Sequence, residues 1–116
     1  MKRLRTGFIG VDQDSTILFS DFEDGGKMWT GHGPREIRRS VSFKEAFTSP
    51  PTVTVGISMW DLDQKTNQRS DISAEKVTAS GFDIVFKTWG DTRVARIRAD
   101  WLAIGEVADD DNWDLG

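Results

Sequence analysis

The residues that could carry out catalysis are few in this chain of 116 residues. Its single histidine, His32, lies between Gly31 and Gly33, and there is no cysteine anywhere. A cysteine nucleophile and a zinc–thiolate site are therefore excluded. No Gly-x-Ser-x-Gly elbow marks a serine nucleophile. A Ser–His–Asp arrangement assembled in space stays open, but no pattern in the sequence favours one. We therefore expect no enzyme and no cofactor.

Carboxylates offer a second kind of chemistry near the middle of the chain. Asp61, Asp63 and Asn67 are spaced somewhat like the start of a calcium-binding loop. Such loops also need a central glycine and a distal glutamate, and both are absent here. A pair of acids for glycoside hydrolysis is equally unmarked. We expect solvated loop acids and no metal site.

Tryptophan use points to binding instead of catalysis. The chain has five tryptophans and no tyrosine. Trp101 shares the apolar alternation of its segment and is expected in the core, whereas Trp60 and Trp89 each stand at the end of an apolar run, beside a turn. An indole combines a flat apolar face with one N–H donor, which suits the apolar face of a sugar ring. The alternative for Trp60 and Trp89 is a rim residue that packs on a loop. A carbohydrate is the favoured ligand.

Charge and hydropathy narrow the class of partner. The net charge of −4 argues against nucleic acid. No stretch approaches the roughly 20 apolar residues of a membrane span. The basic start, Met1–Arg5, is not followed by the apolar run of a signal peptide. We expect a soluble protein without membrane insertion, and the sequence leaves open whether it is exported or associated with a particle.

The elements that must position these residues are strands. Apolar and polar residues alternate with a period of two in most segments, and turn residues separate the segments. No segment has a helical stripe of eleven or more residues. Short strands at regular intervals predict an antiparallel β-sandwich. Six strands are expected, around Arg5–Val11, Ile37–Phe43, Val53–Met59, Ile72–Val77, Phe82–Phe86 and Ala95–Ala103.

Three other segments have a weaker pattern. We expect a long surface loop over Asp12–Trp29, although Thr16–Phe19 could be a short strand, and an irregularity near Lys76. An acidic tail, 107–116, is expected to fray.

Arg93, Arg96 and Arg98 form a cationic row, which either is solvated or meets carboxylates of a neighbouring subunit.

The order of landmarks from Arg35 to Glu106 resembles the H-type lectin domain, a family that includes snail agglutinins and the C-terminal domain of discoidins. Three motifs carry the resemblance: the run Phe47-Thr48-Ser49-Pro50-Pro51-Thr52-Val53, the pair Gly81-Phe82, and the turn Trp89-Gly90-Asp91-Thr92. The resemblance implies an all-β, six-stranded antiparallel sandwich. It also implies a trimer, or a hexamer of paired trimers, that binds galactose or N-acetylgalactosamine between subunits.

The resemblance assigns ligand-binding roles to specific positions. Arg69 and Trp89 match the family's binding arginine and tryptophan. Gly90 stands where the best-known members have a histidine, and Ala95 stands at an aromatic contact. His32 falls near the family's loop acid, followed by Arg35 and Glu36. The family's cysteines are replaced by residues such as Val11, Thr48 and Phe86, so that a hexamer would form without bridges.

Two functions follow from the sequence. The first is a lectin of the galactose or N-acetylgalactosamine type, multivalent through a homotrimer, with glycans or glycoconjugates as partners. The alternative is a structural or adhesion trimer on a surface or phage-like particle, with a degenerate sugar site. In either case we expect one domain, in which residues 1–34 are an N-terminal strand and loop, 35–106 the lectin-like core and 107–116 the tail.

Overall fold

A computed structural model describes residues 1–5 and 7–109 of the chain, and these form a β-sandwich of two three-stranded antiparallel sheets. The predicted six-stranded all-β fold is confirmed. Two single helical turns, α1 and α2, follow the first strand. In chain order the elements are β1 (Ile9–Ser20), α1 (Asp21–Asp24), α2 (Lys27–Thr30), β2 (Arg35–Ser42), β3 (Thr52–Leu62), β4 (Asp71–Glu75), β5 (Gly81–Thr88) and β6 (Val94–Glu106).

Each sheet is organised around a central strand that pairs with two neighbours. In sheet A the order is β1-β6-β3, and in sheet B it is β2-β5-β4. Both partners of β6 have a bulge next to the residue that pairs with Arg98. The register shifts at Leu18 in β1 and at Ser58 in β3. Such bulges increase the local twist of a sheet.

The first strand differs from the prediction. We expected a strand over Arg5–Val11 followed by a loop over Asp12–Trp29, and this is wrong, because β1 runs for 12 residues to Ser20. Asp12 interrupts its apolar alternation with an inward-facing carboxylate. That carboxylate accepts backbone hydrogen bonds from Gln13 and Lys44, both at 2.9 Å. A buried charge bonded in this way is tolerated, so the strand continues through it.

The core fills the space between the two sheets with aromatic and aliphatic side chains. Trp101 is buried, as predicted, and its ring lies 5.3 Å from that of Phe82 and 5.9 Å from that of Phe43. Phe19 and Phe86 form a second aromatic contact at 5.5 Å. The predicted irregularity near Lys76 is also confirmed, since this residue has a φ of +52° directly after β4. Of the acidic tail, residues 110–116 lie outside the described residues.

Three connections meet at one end of the sandwich. They are the segments 21–34, 63–70 and 89–93, which join β1 to β2, β3 to β4 and β5 to β6. The strands are antiparallel, so the ends of β1, β3 and β5 lie beside the starts of β2, β4 and β6. Loops gathered at the end of a rigid scaffold are a common place for binding residues. We call this the loop end of the sandwich.

Candidate functional site

A buried arginine ties two of the three connections together. Arg35 begins β2, is only 7% exposed, and donates hydrogen bonds to backbone carbonyl oxygens in both. Its Nε lies 2.9 Å from the oxygen of Gly33, Nη1 lies 3.2 Å from that of Met28, and Nη2 lies 3.2 Å from that of Gly90. Burial lowers the pKa of Arg35 from its ordinary value, yet a guanidinium keeps its charge in proteins. We call this arrangement the Arg35 clamp.

The turn after β5 favours a glycine through its backbone conformation and through a close contact. Gly90 has a φ of +69°, a conformation that side chains other than glycine rarely adopt. A Cβ atom at this position would also lie 3.2 Å from Nη1 of Arg69. The Gly90 carbonyl accepts a further hydrogen bond from the Gly33 backbone N–H at 2.9 Å. The turn is therefore shaped to receive both the guanidinium of Arg69 and the loop that carries His32.

Arg69 is held on both its backbone and its side chain. Its backbone N–H donates to the Thr92 hydroxyl at 3.1 Å, and its carbonyl accepts from the Thr88 hydroxyl at 2.5 Å. Its Nη1 donates to Oδ1 of Asp91 at 3.0 Å. Among the described residues, Asp91 is the one hydrogen-bond partner of this guanidinium. In this part of the chain, the other N–H groups of the guanidinium make no hydrogen bond.

Asp91 orients the arginine, a role that the sequence did not single out. Partial burial alone would raise its pKa. Hydrogen bonds from Asn67, from its own backbone and from Arg69 outweigh this effect, so that the pKa of Asp91 lies below its ordinary value. The carboxylate is therefore ionised at neutral pH and keeps Arg69 in place.

Trp89 presents an exposed ring beside the same turn. Asp71 pairs with Lys87 in the β4–β5 ladder, and extending this register by two residues places Arg69 opposite Trp89. The indole is 42% exposed. It borders a cleft of about 240 Å³ that Pro34, Glu36 and Lys87 also line. An exposed aromatic face and a fixed guanidinium thus belong to neighbouring backbone positions, and both are groups that a shallow sugar site uses.

Of the other two predicted ligand contacts, His32 and Ala95, one is exposed and one is buried. His32 is exposed, and its loop is joined to the turn by the hydrogen bond between Gly33 and Gly90. Ala95 is buried in β6, so that it cannot touch a ligand on the surface. The structure thus brings Arg69, Trp89, Gly90 and the His32 loop together at the loop end, and their contact with a ligand stays a prediction.

The cationic row predicted from sequence has partners within the chain. Arg93 lies over the ring of Trp29 at 4.8 Å, donates to its carbonyl oxygen at 2.9 Å and lies 3.7 Å from Asp63. Arg96 pairs with Asp61 at 3.5 Å, and Arg98 donates to the Ser58 hydroxyl at 3.0 Å. The two aspartates considered for calcium are thus paired with arginines. Within residues 1–5 and 7–109, no group of three or more metal-ligating side chains occurs.

None of the helices in the described part of the chain is long and apolar enough to cross a membrane.

The fold and a match to a family model define the class of protein. The family model of the H-type lectin domain matches residues 38–104, more than half of the chain. The chain belongs to the H-type lectin domain family, and its general function is therefore that of a carbohydrate-binding lectin. The family and its discoidin relatives are binding modules.

Individual relatives are similar to the chain over different lengths. An "ATP synthase subunits region ORF 7" protein of Fuscovulum blasticum is 67% identical over 107 residues, which are 92% of this chain and 93% of that protein. A discoidin-1 chain of Dictyostelium discoideum is 37% identical over 75 residues, 64% of this chain. The structure of discoidin II from the same organism superposes with a TM-score of 0.75 at 26% identity, over 90% of this chain. The matches span only 30% and 39% of these two discoidins, respectively.

A more distant structure shares the fold alone. The tailspike protein gp49 from Pseudomonas phage LKA1 has a TM-score of 0.52 at 14% identity, over 86% of this chain and 15% of that one. The same sandwich thus occurs within a much longer protein.

Proposed function

We propose that the chain is a multivalent lectin for galactose, N-acetylgalactosamine or a related glycan, and that Arg69 and Trp89 form its binding site. The observation that carries this proposal is that the exposed indole of Trp89 and the guanidinium of Arg69, which lies against Gly90 and Asp91, belong to the same turn at the loop end. Such a site can bind a pyranose by stacking on one face of the ring and by hydrogen bonds to its hydroxyls.

The chemistry of the two residues is complementary. A guanidinium offers its donors in a planar fork, so that two adjacent hydroxyl groups can be bound at once. Asp91 fixes one prong of the fork at 3.0 Å, and the Arg35 clamp fixes the turn beneath it. A preorganised site loses less entropy when the ligand binds. A shallow site of this kind is consistent with a single-site dissociation constant near 1 mM, about −4 kcal/mol.

Weak single sites make repetition part of the proposed function. Joining several sites in one assembly raises the affinity for a multivalent surface by about 10²–10⁴. We propose a homotrimer for this reason. The intrachain partners of Arg96 and Arg98 mean that the cationic row does not need a neighbouring chain, so another surface must supply the contact.

The outer face of sheet A suits such a contact. Gly56 lies in the interior of edge strand β3, where an added Cβ would meet no atom within 4 Å. Glycine weakens a strand and often marks the close approach of another backbone, and packing within the chain does not require it here. The exposed Val11 and the half-buried Leu102 and Ile104 add apolar surface to the same face.

The test combines glycan binding with size and stability. The purified protein is applied to a glycan array, and its mass is measured by light scattering in moderate salt. We expect Arg69→Ala and Trp89→Ala to lose binding while the melting temperature and the mass of three chains are kept. Arg69→Lys should also bind poorly, because an ammonium lacks the fork.

Arg96→Ala is the matched control for the arginine. Arg96 is exposed to a similar degree as Arg69 and also pairs with one aspartate, Asp61, at 3.5 Å, but it lies in sheet A and lines no part of the Trp89 cleft. This variant should bind normally. Full binding by Arg69→Ala would refute the site, and a clean monomer at micromolar concentration would refute the trimer.

One observation favours the alternative, an adhesion trimer whose sugar site is degenerate. Gly90 and the buried Ala95 leave two of the contacts implied by the family without a side chain that could reach a sugar. The absence of binding by the wild-type protein to any glycan, together with a stable trimer, would support this alternative.

A further inference from the structure

We propose that a second cleft, built around Trp60, binds a further pyranose unit of the same glycan. The proposal rests on the lectin function above and extends it, because it concerns residues that neither the family resemblance nor the Arg69 site includes. The cleft has a volume of about 230 Å³ and is lined by Ile57, Trp60, Leu62, Gln68 and Ser70. We call it the Trp60 cleft.

The first argument is the position of the indole. A regular alternation from Ile57 would turn Trp60 to the outer face of sheet A. The bulge at Ser58 instead sets Trp60 opposite Ile97, whose side chain is in the core. Trp60 nevertheless remains 62% exposed, because β3 is the edge strand and the indole stands at the open side of the sandwich next to the segment that leads into β4. The fold thus leaves a large apolar ring in contact with solvent at one edge.

The second argument is the chemistry of the lining. Ile57 and Leu62 provide apolar surface, and Gln68 and Ser70 provide an amide and a hydroxyl. Within the described part of the chain, neither of these two side chains has a hydrogen-bond partner, and neither has the indole N–H of Trp60. Small-ligand sites typically combine aromatic and apolar walls with a few polar groups that fix orientation. An aromatic platform with neutral donors and acceptors, and without a charged side chain, suits an uncharged sugar ring.

The third argument is the continuity of this cleft with the Arg69 site. Gln68 and Ser70 flank Arg69 in sequence, and consecutive Cα atoms are about 3.8 Å apart. In this segment the side chain of Arg69 contacts Gly90 and Asp91, whereas Gln68 and Ser70 line the Trp60 cleft. One short stretch of backbone therefore borders both sites. A glycan of several units can occupy both, whereas a monosaccharide occupies one.

The length of the glycan is the variable that tests the proposal. Wild type, Trp60→Ala, Trp60→Phe and Arg69→Ala are compared on an array that displays mono-, di- and longer oligosaccharides. We expect Trp60→Ala to bind monosaccharides like wild type and to bind longer glycans about tenfold more weakly. Trp60→Phe should recover most of the loss, because it keeps an aromatic platform. Arg69→Ala should lose binding to glycans of every length.

A matched control removes an exposed ring elsewhere. Phe8→Ala deletes an exposed aromatic side chain next to β1, at the end of sheet A opposite to Trp60, and should bind like wild type. Equal binding of long glycans by Trp60→Ala and wild type would overturn the Trp60 cleft alone. Dissociation of the assembly by Trp60→Ala would also overturn it, by assigning the indole to a contact between chains. Failure of the wild type to bind any glycan would overturn the lectin function together with the cleft.

Discussion

The Arg35 clamp predicts a specific loss when arginine is replaced by lysine. Arg35→Lys keeps the charge but replaces a three-pronged donor by a single ammonium on a flexible stem. The guanidinium makes its three shortest hydrogen bonds to the carbonyl oxygens of Met28, Gly33 and Gly90. If lysine keeps one of them, two are lost. Hydrogen bonds from a charged donor contribute about 1.5–3 kcal/mol each, so that the free energy of unfolding should fall by about 3–6 kcal/mol.

Urea denaturation of wild type and variant measures this difference, and amide hydrogen exchange locates it. The Gly33 N–H donates to Gly90. Its exchange rate in Arg35→Lys should rise over that in wild type by a larger factor than the exchange rates of the β6 amides do. Arg39→Lys is the control, because Arg39 is exposed and donates to a single carbonyl, that of Leu18. A loss below about 1 kcal/mol for Arg35→Lys, equal to that of the control, would refute the clamp.

Two further predictions concern His32 and the stability of the fold in acid. If His32 contacts the sugar, His32→Ala should weaken glycan binding while the melting temperature is kept; unchanged binding would make His32 an ordinary loop residue. The pKa of Glu75 is lowered by hydrogen bonds from Arg38 and Ser73, and that of Asp100 by hydrogen bonds from Ser15 and Ser58. Carboxylates with a lowered folded-state pKa stabilise the fold above their ordinary pKa of about 4, and the contribution is lost as the pH falls through the lower folded value. Urea midpoints should thus be level from pH 7 to 5 and fall below 4, whereas a rise on acidification would contradict this assignment.

The strands could be predicted wherever the alternation was regular. The alternation of Phe82, Ile84 and Phe86 with Asp83 and Val85 marks β5 without ambiguity, because one face of the strand packs in the core. Prediction was wrong for β1, where Asp12 occupies an inward position. Its two backbone donors come from the next residue and from Lys44, more than thirty positions later, and no local pattern reveals the second.

The candidate site was predictable only in part. Arg69 and Trp89 were found through the resemblance to a family, and their proximity follows from the ladder register. Two other features depend on contacts between distant segments. Arg35 reaches the Gly90 turn across 55 positions, and the bulge at Ser58 decides which side Trp60 faces. A bulge adds a single residue to one strand, and the sequence around Ser58 does not mark it.

The place of β6 in sheet A has a consequence for how the chain folds. β1 and β3 both pair with β6 and not with each other, and β6 is made after both of them. Until Val94–Glu106 has left the ribosome, the two earlier strands have no partner in their own sheet, whereas β2, β4 and β5 can already pair. Pairing β1 with β6 closes a loop that contains almost the whole fold, and such distant pairings slow folding. We therefore expect β6 to complete the sandwich, and a nascent chain that stalls before it to expose two unpaired, partly apolar strands that are prone to aggregation.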